Sequence, residues 1–240
     1  MIQRLLSFLF LLSLCAPASA AKLRVVATIP ELVDVTQRVG GDHVTVDGLA
    51  RGSEDIHQVV MKPSFVAKLN KAAAVVYLGL TVEHTFLPGL LDVARNPKMR
   101  QDALRQCAGS GCIDVSKAIA VLDKPETLSR AEGELHSHGN PHYNLGPHNG
   151  SQIARNIAEG LDSIDPDHAA DYEKNLKAYL DEIAPKIAEW KRLAATLKGV
   201  KAVSYHKDVA YIEKFTGIDF VGTVELKPGV SPTPTHLAAL

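Results

Sequence analysis

The segment of residues 169–197 constrains the fold more than any other part of the chain. Apolar residues recur there at Tyr172, Leu176, Tyr179, Ile183, Ile187, Trp190, Ala194 and Leu197, in steps of three or four. That spacing predicts one continuous helix with a single apolar stripe turned to a core along its whole length. At 1.5 Å per residue such a helix spans roughly 40 Å, the width of a small domain. A helix on the outside of one sheet does not need that length, so the segment reads as a backbone joining two lobes. Pro185 lies inside it and predicts a kink rather than a break.

On either side, short β-branched runs alternate with helical patterns. Residues 23–27, 44–49, 75–80, 118–122 and 200–205 read as strands, and residues 29–39, 63–71, 151–164 and 207–215 as helices. Alternation of this kind argues for α/β units with largely parallel sheets. The expected organisation is an export signal over 1–20, a first α/β lobe over 21–168, the linking helix over 169–197 and the start of a second α/β lobe over 198–240. In that second lobe a short strand near 220–224 and a turn at 227–230 follow the helix. Ser231-Pro232-Thr233 then opens a further helix, with Leu237 and Leu240 beginning an apolar stripe. A domain does not normally end there, so the second lobe reads as incomplete, with apolar surface and a sheet edge exposed.

The first twenty residues are set aside from the fold. Arg4, the apolar run at 5–14 and the small residues Ala18-Ser19-Ala20 stand in the order of a secretory signal cleaved after Ala20, and the run is too short to span a bilayer about 30 Å thick. Cleavage removes one basic residue and no acid, taking the net charge from −1 to −2. A near-neutral chain without a basic run lacks the electrostatic footprint of a nucleic-acid binder. With 46% hydrophobic and 22% charged residues, disordered and fibrous classes are excluded as well. Leu14 precedes Cys15 where a lipoprotein signal wants Gly, Ala or Ser, which disfavours a lipid anchor. Cys107 and Cys112 bracket Ala-Gly-Ser-Gly, and in an exported protein this predicts a small-loop disulfide.

The chemistry lies in the ten histidines. His43 and His168 sit in polar contexts, His84 follows Glu83 at the end of a strand, and His236 is near the last residue; each reads as solvated or structural. His57, His142 and His206 fall in loops at the carboxyl ends of predicted strands or just before predicted helices, the edge where open parallel sheets bind ligands. Three neutral imidazoles from separate loops suit a borderline transition metal. Zinc takes nitrogen donors at about 2.0–2.1 Å in a tetrahedron whose fourth corner is a carboxylate or water. The short metal motif H-E-x-x-H is absent.

Around these residues the sequence resembles a family. Gly52-Ser53-Glu54-Asp55-Ile56-His57, Gly139-Asn140-Pro141-His142-Tyr143-Asn144-Leu145-Gly146-Pro147, and Tyr205-His206-Lys207 with Tyr211 and Phe215-Thr216-Gly217 are similar to three signature stretches of metal-binding solute-binding proteins. These are the ZnuA-like periplasmic components of zinc and manganese ABC importers. Residues 73–83 (AAVVYLGLTVE) and Val224-Glu225-Leu226-Lys227-Pro228-Gly229 add to the match. The resemblance implies two α/β lobes joined by a long helix, with the metal in the cleft between them. It assigns His57 and His142 to the first lobe and His206 to the second. It also implies further strand-helix units, one carrying an Asp or Glu as fourth ligand beyond residue 240, with water or Glu225 as the substitute within the chain. A His as third ligand goes with zinc in this family and a Glu with manganese, so His206 points to Zn2+ ahead of Mn2+. Ile56 replaces the usual Pro and Asn144 stands where Trp often follows, both of which bear on loop shape. His136 and His138 resemble a short form of the family's His-rich loop, an auxiliary metal site or a solvated loop.

The leading expectation is a monomeric periplasmic protein that captures Zn2+ and delivers it to an ABC permease, with no reaction catalysed and no nucleic acid bound. A manganese-binding member of the same family and a metallochaperone without a permease are the near alternatives. A secreted zinc hydrolase is the distant one, since three histidines and an open position also describe a catalytic zinc. No acid stands in a motif beside the ligands to act as its general base.

Overall fold

The structure, a computed structural model, describes residues 21–103, 106–125, 138–226 and 230–240. The expected signal segment with Cys15 and the cleavage site at Ala20 lies outside the described residues, as do His136 and the Lys227-Pro228-Gly229 turn.

The chain opens with β1 (Leu23–Ala27), α1 (Pro30–Gly40), β2 (Val44–Gly48), α2 (Pro63–Lys71), β3 (Ala74–Tyr77) and α3 (Leu87–Ala94). A small antiparallel hairpin follows, β4 (Arg100–Gln101) and β5 (Cys107–Ala108), and then β6 (Cys112–Asp114). Strands β2, β1, β3 and β6 form, in that order, a wholly parallel four-stranded sheet. Every residue of β3 is buried, because helices cover both faces of the sheet; that is why the sequence there is a continuous apolar run rather than an alternation. Prolines pre-set the backbone at the starts of α1, α2 and α3. A disulfide joins Cys107 to Cys112, tying the hairpin to the edge strand of the sheet.

Helix α4 (Gly150–Ile164) lies against β6, and contact is close enough at Gly160 that a Cβ there would sit 2.7 Å from the Ile113 side chain. This packing explains a departure from the sequence reading. Residues 118–122 form turn and coil, and the fourth strand is β6 upstream of them. The Asn156 side chain of α4 donates to the carbonyls of Val115 and Lys117 at 2.9 and 2.8 Å, and Ala118 takes a φ of +58°. The chain is therefore pulled off the sheet just after β6 instead of extending it.

The long helix forms as α5 (Ala169–Ala194), continues as one 3-10 turn at Ala195–Leu197, and runs unbroken through Pro185. Its stripe is not turned to a core throughout. Tyr172 and Leu176 are buried and Tyr179 is partly so, against α1 and α4, and Ala194 is buried, but Trp190 and Leu197 are 47% and 41% exposed. Beyond it lie β7 (Lys201–Ser204), α6 (Ala210–Thr216), β8 (Asp219–Thr223) and α7 (Pro234–Ala239), with β7 and β8 forming a separate parallel pair. Helix α6 starts three residues later than the sequence suggests, because residues 207–209 form a turn. Thr233 caps α7 by accepting from the His236 backbone N–H.

A polar seam fastens α6 to the larger sheet. The buried Tyr211 hydroxyl donates to the Asn140 carbonyl at 2.8 Å and accepts from the Leu122 N–H at 3.0 Å. Its ring meets Tyr143 edge-on, and Phe215 lies parallel to the His148 ring. At the carboxyl edge of the sheet, Glu83 is completely buried. Its carboxyl accepts from the Leu78 and Gly79 N–H groups and from the Thr28 hydroxyl, which crosslinks the chain following β1 to the chain following β3. Desolvation outweighs these donors and pushes its pKa up to about 7.

Tyr211→Phe removes one hydroxyl and strands two backbone groups, so it should lower stability by about 1–3 kcal/mol in urea denaturation. For Glu83 the folded-state pKa lies above the ordinary value of 4.5, so its protonation stabilises the fold. That contribution is fully present below about pH 4.5 and is lost as pH rises through about 7. Over that window the stability of Glu83→Gln should therefore rise relative to the unmodified chain by roughly 3 kcal/mol, measured by denaturation at each pH.

Candidate metal centre

Three loops at the carboxyl edges of the two sheets converge. After β2 the backbone keeps pairing, with Leu49 and Ala50 N–H groups donating to Ala27 and Thr28, and then turns. Asp55 shapes that turn: its carboxylate accepts from the His57 N–H and from the Gln58 side chain, both at 2.9 Å, and folds Ile56–Gln58 into one 3-10 turn. An Asp reaching its own backbone two residues on is a local preference of that side chain. It presents His57 inward, where it is buried.

His142 is set by Asn140. The Asn140 Oδ1 accepts from the His142 N–H at 3.0 Å, while its Nδ2 donates to Asp123 at 3.1 Å and to the Lys207 carbonyl at 3.3 Å. One amide thus links both sheets and orients a candidate ligand. Gly139 before it has a φ of +100°, and a Cβ there would lie 2.7 Å from the Leu122 carbonyl, so this approach demands glycine. Tyr143 after it is buried and donates to the Leu78 carbonyl at 2.6 Å, fixing the loop to the end of β3. His206 follows β7 in a turn whose carbonyl accepts from the Ser204 hydroxyl at 2.8 Å and the Asp208 N–H at 2.9 Å.

The three imidazoles meet. His57 Nε2 and His142 Nε2 are 3.2 Å apart, and one ring nitrogen from each of His57, His142 and His206 lies within 4.8 Å of the others. The three rings lie 5.1–6.0 Å apart between centroids, with planes crossing at 73–79°. Donors held at about 2.0–2.1 Å around a tetrahedral ion are separated by about 3.3 Å. The first pair is already at that spacing, and the third nitrogen lies within 4.8 Å of both. His206 Nε2 is buried with no hydrogen-bond partner among the described residues, as are Asn144 Oδ1 and Asp208 Oδ1. Lone pairs left facing a buried space in this way fit a cation.

The other histidines stand elsewhere. His43 and His168 stack with centroids 3.9 Å apart and share hydrogen bonds with Asp171 and Asp165, each at 2.8 Å. His84 Nδ1 is 2.8 Å from the Thr81 carbonyl, and His236 Nε2 is 2.7 Å from the Thr223 carbonyl. His138 is exposed. Glu225 is buried and accepts from the Tyr205 hydroxyl at 2.8 Å. Asp208, which follows His206 by two residues, places its Oδ2 3.8 Å from His206 Nε2. Asp208, Asn140 and Tyr211 carry no signal in a scan for His and Cys clusters. A polar residue two before or two after a loop histidine is the pattern that would have drawn attention to Asn140 and Asp208.

With this geometry in view, comparison with known proteins is direct. The manganese ABC transporter substrate-binding lipoprotein scaA of Streptococcus gordonii is 27% identical over 208 residues, which cover 81% of this chain and 63% of that protein. The iron ABC transporter substrate-binding lipoprotein MtsA of Streptococcus pyogenes serotype M1 is also 27% identical, over 96% of this chain and 73% of its own length. Other streptococcal relatives are covered over 50% and 54% of their lengths, so the chain spans about half to two thirds of several relatives that it matches. A crystal structure of ZnuA superimposes with a TM-score of 0.74 at 26% identity, covering 91% of this chain and 76% of that one. A zinc-bound ZnuA lacking residues 138–173 of its own numbering gives 0.73 at 27% identity, covering 91% and 75%. The family described as "ZnuA: Zinc-uptake complex component A periplasmic" matches residues 25–240. The α/β fold with its parallel sheet and long helix, together with this match, places the chain in the ZnuA family.

Proposed function

We propose that this protein captures Zn2+ at His57, His142 and His206 and delivers it to the membrane permease of an ABC importer, without catalysing a reaction. The observation that carries the reading is the cluster of three imidazole nitrogens within 4.8 Å, drawn from both sheets. Membership of the ZnuA family supports transport over hydrolysis. Relatives named as ABC transporter substrate-binding lipoproteins support export and a permease partner. Removal of a signal after Ala20 completes that picture, with the mature protein acting as a monomer outside the cytoplasm and away from nucleic acid. Its parts are then a lobe over 21–168, the connecting helix over 169–197 and second-lobe elements over 198–240. His136 and His138 would serve as a weak auxiliary site.

Relatives named for manganese and iron make the choice of metal the open step. Three nitrogens favour zinc over manganese on two grounds: imidazole is a borderline donor, and manganese stands lowest in the affinity order of the first-row divalent ions. Competition between Zn2+ and Mn2+ for the purified protein should leave zinc bound, and retention of manganese at neutral pH would reverse the assignment.

Each of His57→Ala, His142→Ala and His206→Ala should weaken zinc binding by at least about tenfold to a hundredfold, the loss typical of disturbing even an outer partner of a metal ligand. His43→Ala and His168→Ala should bind as the unmodified chain does. Isothermal titration checks this, and equal losses in all five variants would mean that the wrong histidines have been chosen. Protons compete with the metal for imidazole nitrogen, so affinity should also fall in acid.

A further inference from the structure

The Asp208 side chain is 25% exposed, and its ion-pair contact among the described residues is a long one with His206. The residue lies in the turn between β7 and α6, one residue before Val209, the N-cap position of the helix. Yet α6 has no side-chain cap, and Asp208 Oδ1 is buried with no hydrogen-bond partner among the described residues. The backbone explains the direction it takes. Donation from the Asp208 N–H to the His206 carbonyl at 2.9 Å curls the turn on itself. Both side chains then line one cavity of about 370 Å³, together with His142 and Asn144. Asp208 Oδ2 stands 3.8 Å from His206 Nε2, too far for a hydrogen bond. His206 Nε2, Asp208 Oδ1 and Asn144 Oδ1 are each buried with no hydrogen-bond partner among the described residues, and all three residues line that cavity.

We propose that Asp208 is a further metal ligand, a carboxylate that swings onto the ion once the three imidazoles have engaged it. The inference rests on the reading of His57, His142 and His206 as ligands and adds the fourth donor from within this chain. Asp208 is not part of the close cluster of three nitrogens, so the step is a side-chain rotation and not a preformed bond. Its result is a three-nitrogen, one-oxygen set, a combination that zinc accepts, and the carboxylate offsets one of the two charges brought into a confined space. Because Asp208 and His206 belong to one turn, any movement of that turn withdraws two donors together. Glu225, the other acid of this part of the chain, is already engaged by the Tyr205 hydroxyl.

The test compares the unmodified chain with Asp208→Asn, Asp208→Ala, Glu225→Gln and His57→Ala. Zinc affinity is measured by competition with a chromophoric chelator, and the visible spectrum of bound Co2+ reports the ligand set. Metal-free melting temperatures establish that each variant is folded, and Asp208→Asn, nearly the same shape, decides the matter if Asp208→Ala does not fold. The expected result is a loss of zinc affinity of about tenfold or more in the Asp208 variants, with a changed Co2+ spectrum as water replaces the carboxylate. Unchanged affinity and spectrum in both Asp208 variants, while His57→Ala loses binding, would overturn the role of Asp208 and leave the three histidines standing. A loss in Glu225→Gln with none in Asp208→Asn would overturn it in favour of Glu225. Absence of binding by the unmodified chain would overturn the histidine reading itself, and Asp208 with it.

Discussion

Three imidazoles from remote parts of the chain share one space only because the two sheets are held in a fixed relation, and the hydrogen bonds through Asn140 and Tyr211 hold them there. Asn140 touches Asp123 and the His142 N–H on one side and the Lys207 carbonyl, one residue past His206, on the other. Tyr211 returns the link from α6 to the Asn140 carbonyl and the Leu122 N–H. Each of these bonds is of modest net value in water, about 1 kcal/mol, but a buried partner left unmatched is costly. The seam is therefore specific about register to a degree that apolar contact alone is not.

The larger sheet supplies the other half of the arrangement. Its buried strands end at one edge, and the loops leaving that edge are crosslinked below the site by Glu83, which joins Thr28 to Leu78 and Gly79. Tyr143 then hangs the loop that bears His142 on the Leu78 carbonyl. The separation of His57 and His142 is thus set by packing beneath them before any ion arrives. If His57 and His142 bind a metal as proposed, a site built this way spends little binding energy on ordering them.

Much of this was legible in the sequence, for reasons tied to period and chemistry. The strands at 23–27 and 44–49, the helix at 63–71 and the long helix follow from β-branched runs and from steps of three or four, and the structure forms them within a residue or two at most ends. The three histidines stood out because loops after strands in parallel sheets collect ligands, and the structure brings them together. Two failures share a cause. Residues 118–122 have the composition of a strand, but Asn156, reaching from a helix about 40 residues on, takes the carbonyls that would start it. Asp208 looked like part of a helix because residues 207–215 have helical spacing, and a tight turn instead aims it at His206. In both places a tertiary hydrogen bond or a turn overrode a local pattern, which no reading of period can detect. The apolar stripe of the long helix failed differently: the period was right, but periodicity says which residues share a face and not how far that face is covered.

On the proposed reading, in which the site takes up a metal and later releases it, the division of donors matters as much as their number. His57 and His142 belong to loops braced on the larger sheet, whereas His206 and Asp208 lie in one turn of the smaller pair, held across the seam by hydrogen bonds and by the Tyr211 ring. Two nitrogens alone make a weak site for zinc, which ordinarily takes four donors. With Asp208 as the fourth donor, as proposed, displacement of the turn after β7 would withdraw two of the four donors together. Hydrogen bonds suit that task, since water can replace the partners of Asn140 and Tyr211 as the seam opens, whereas exposing an apolar interface of the same size would have no such compensation.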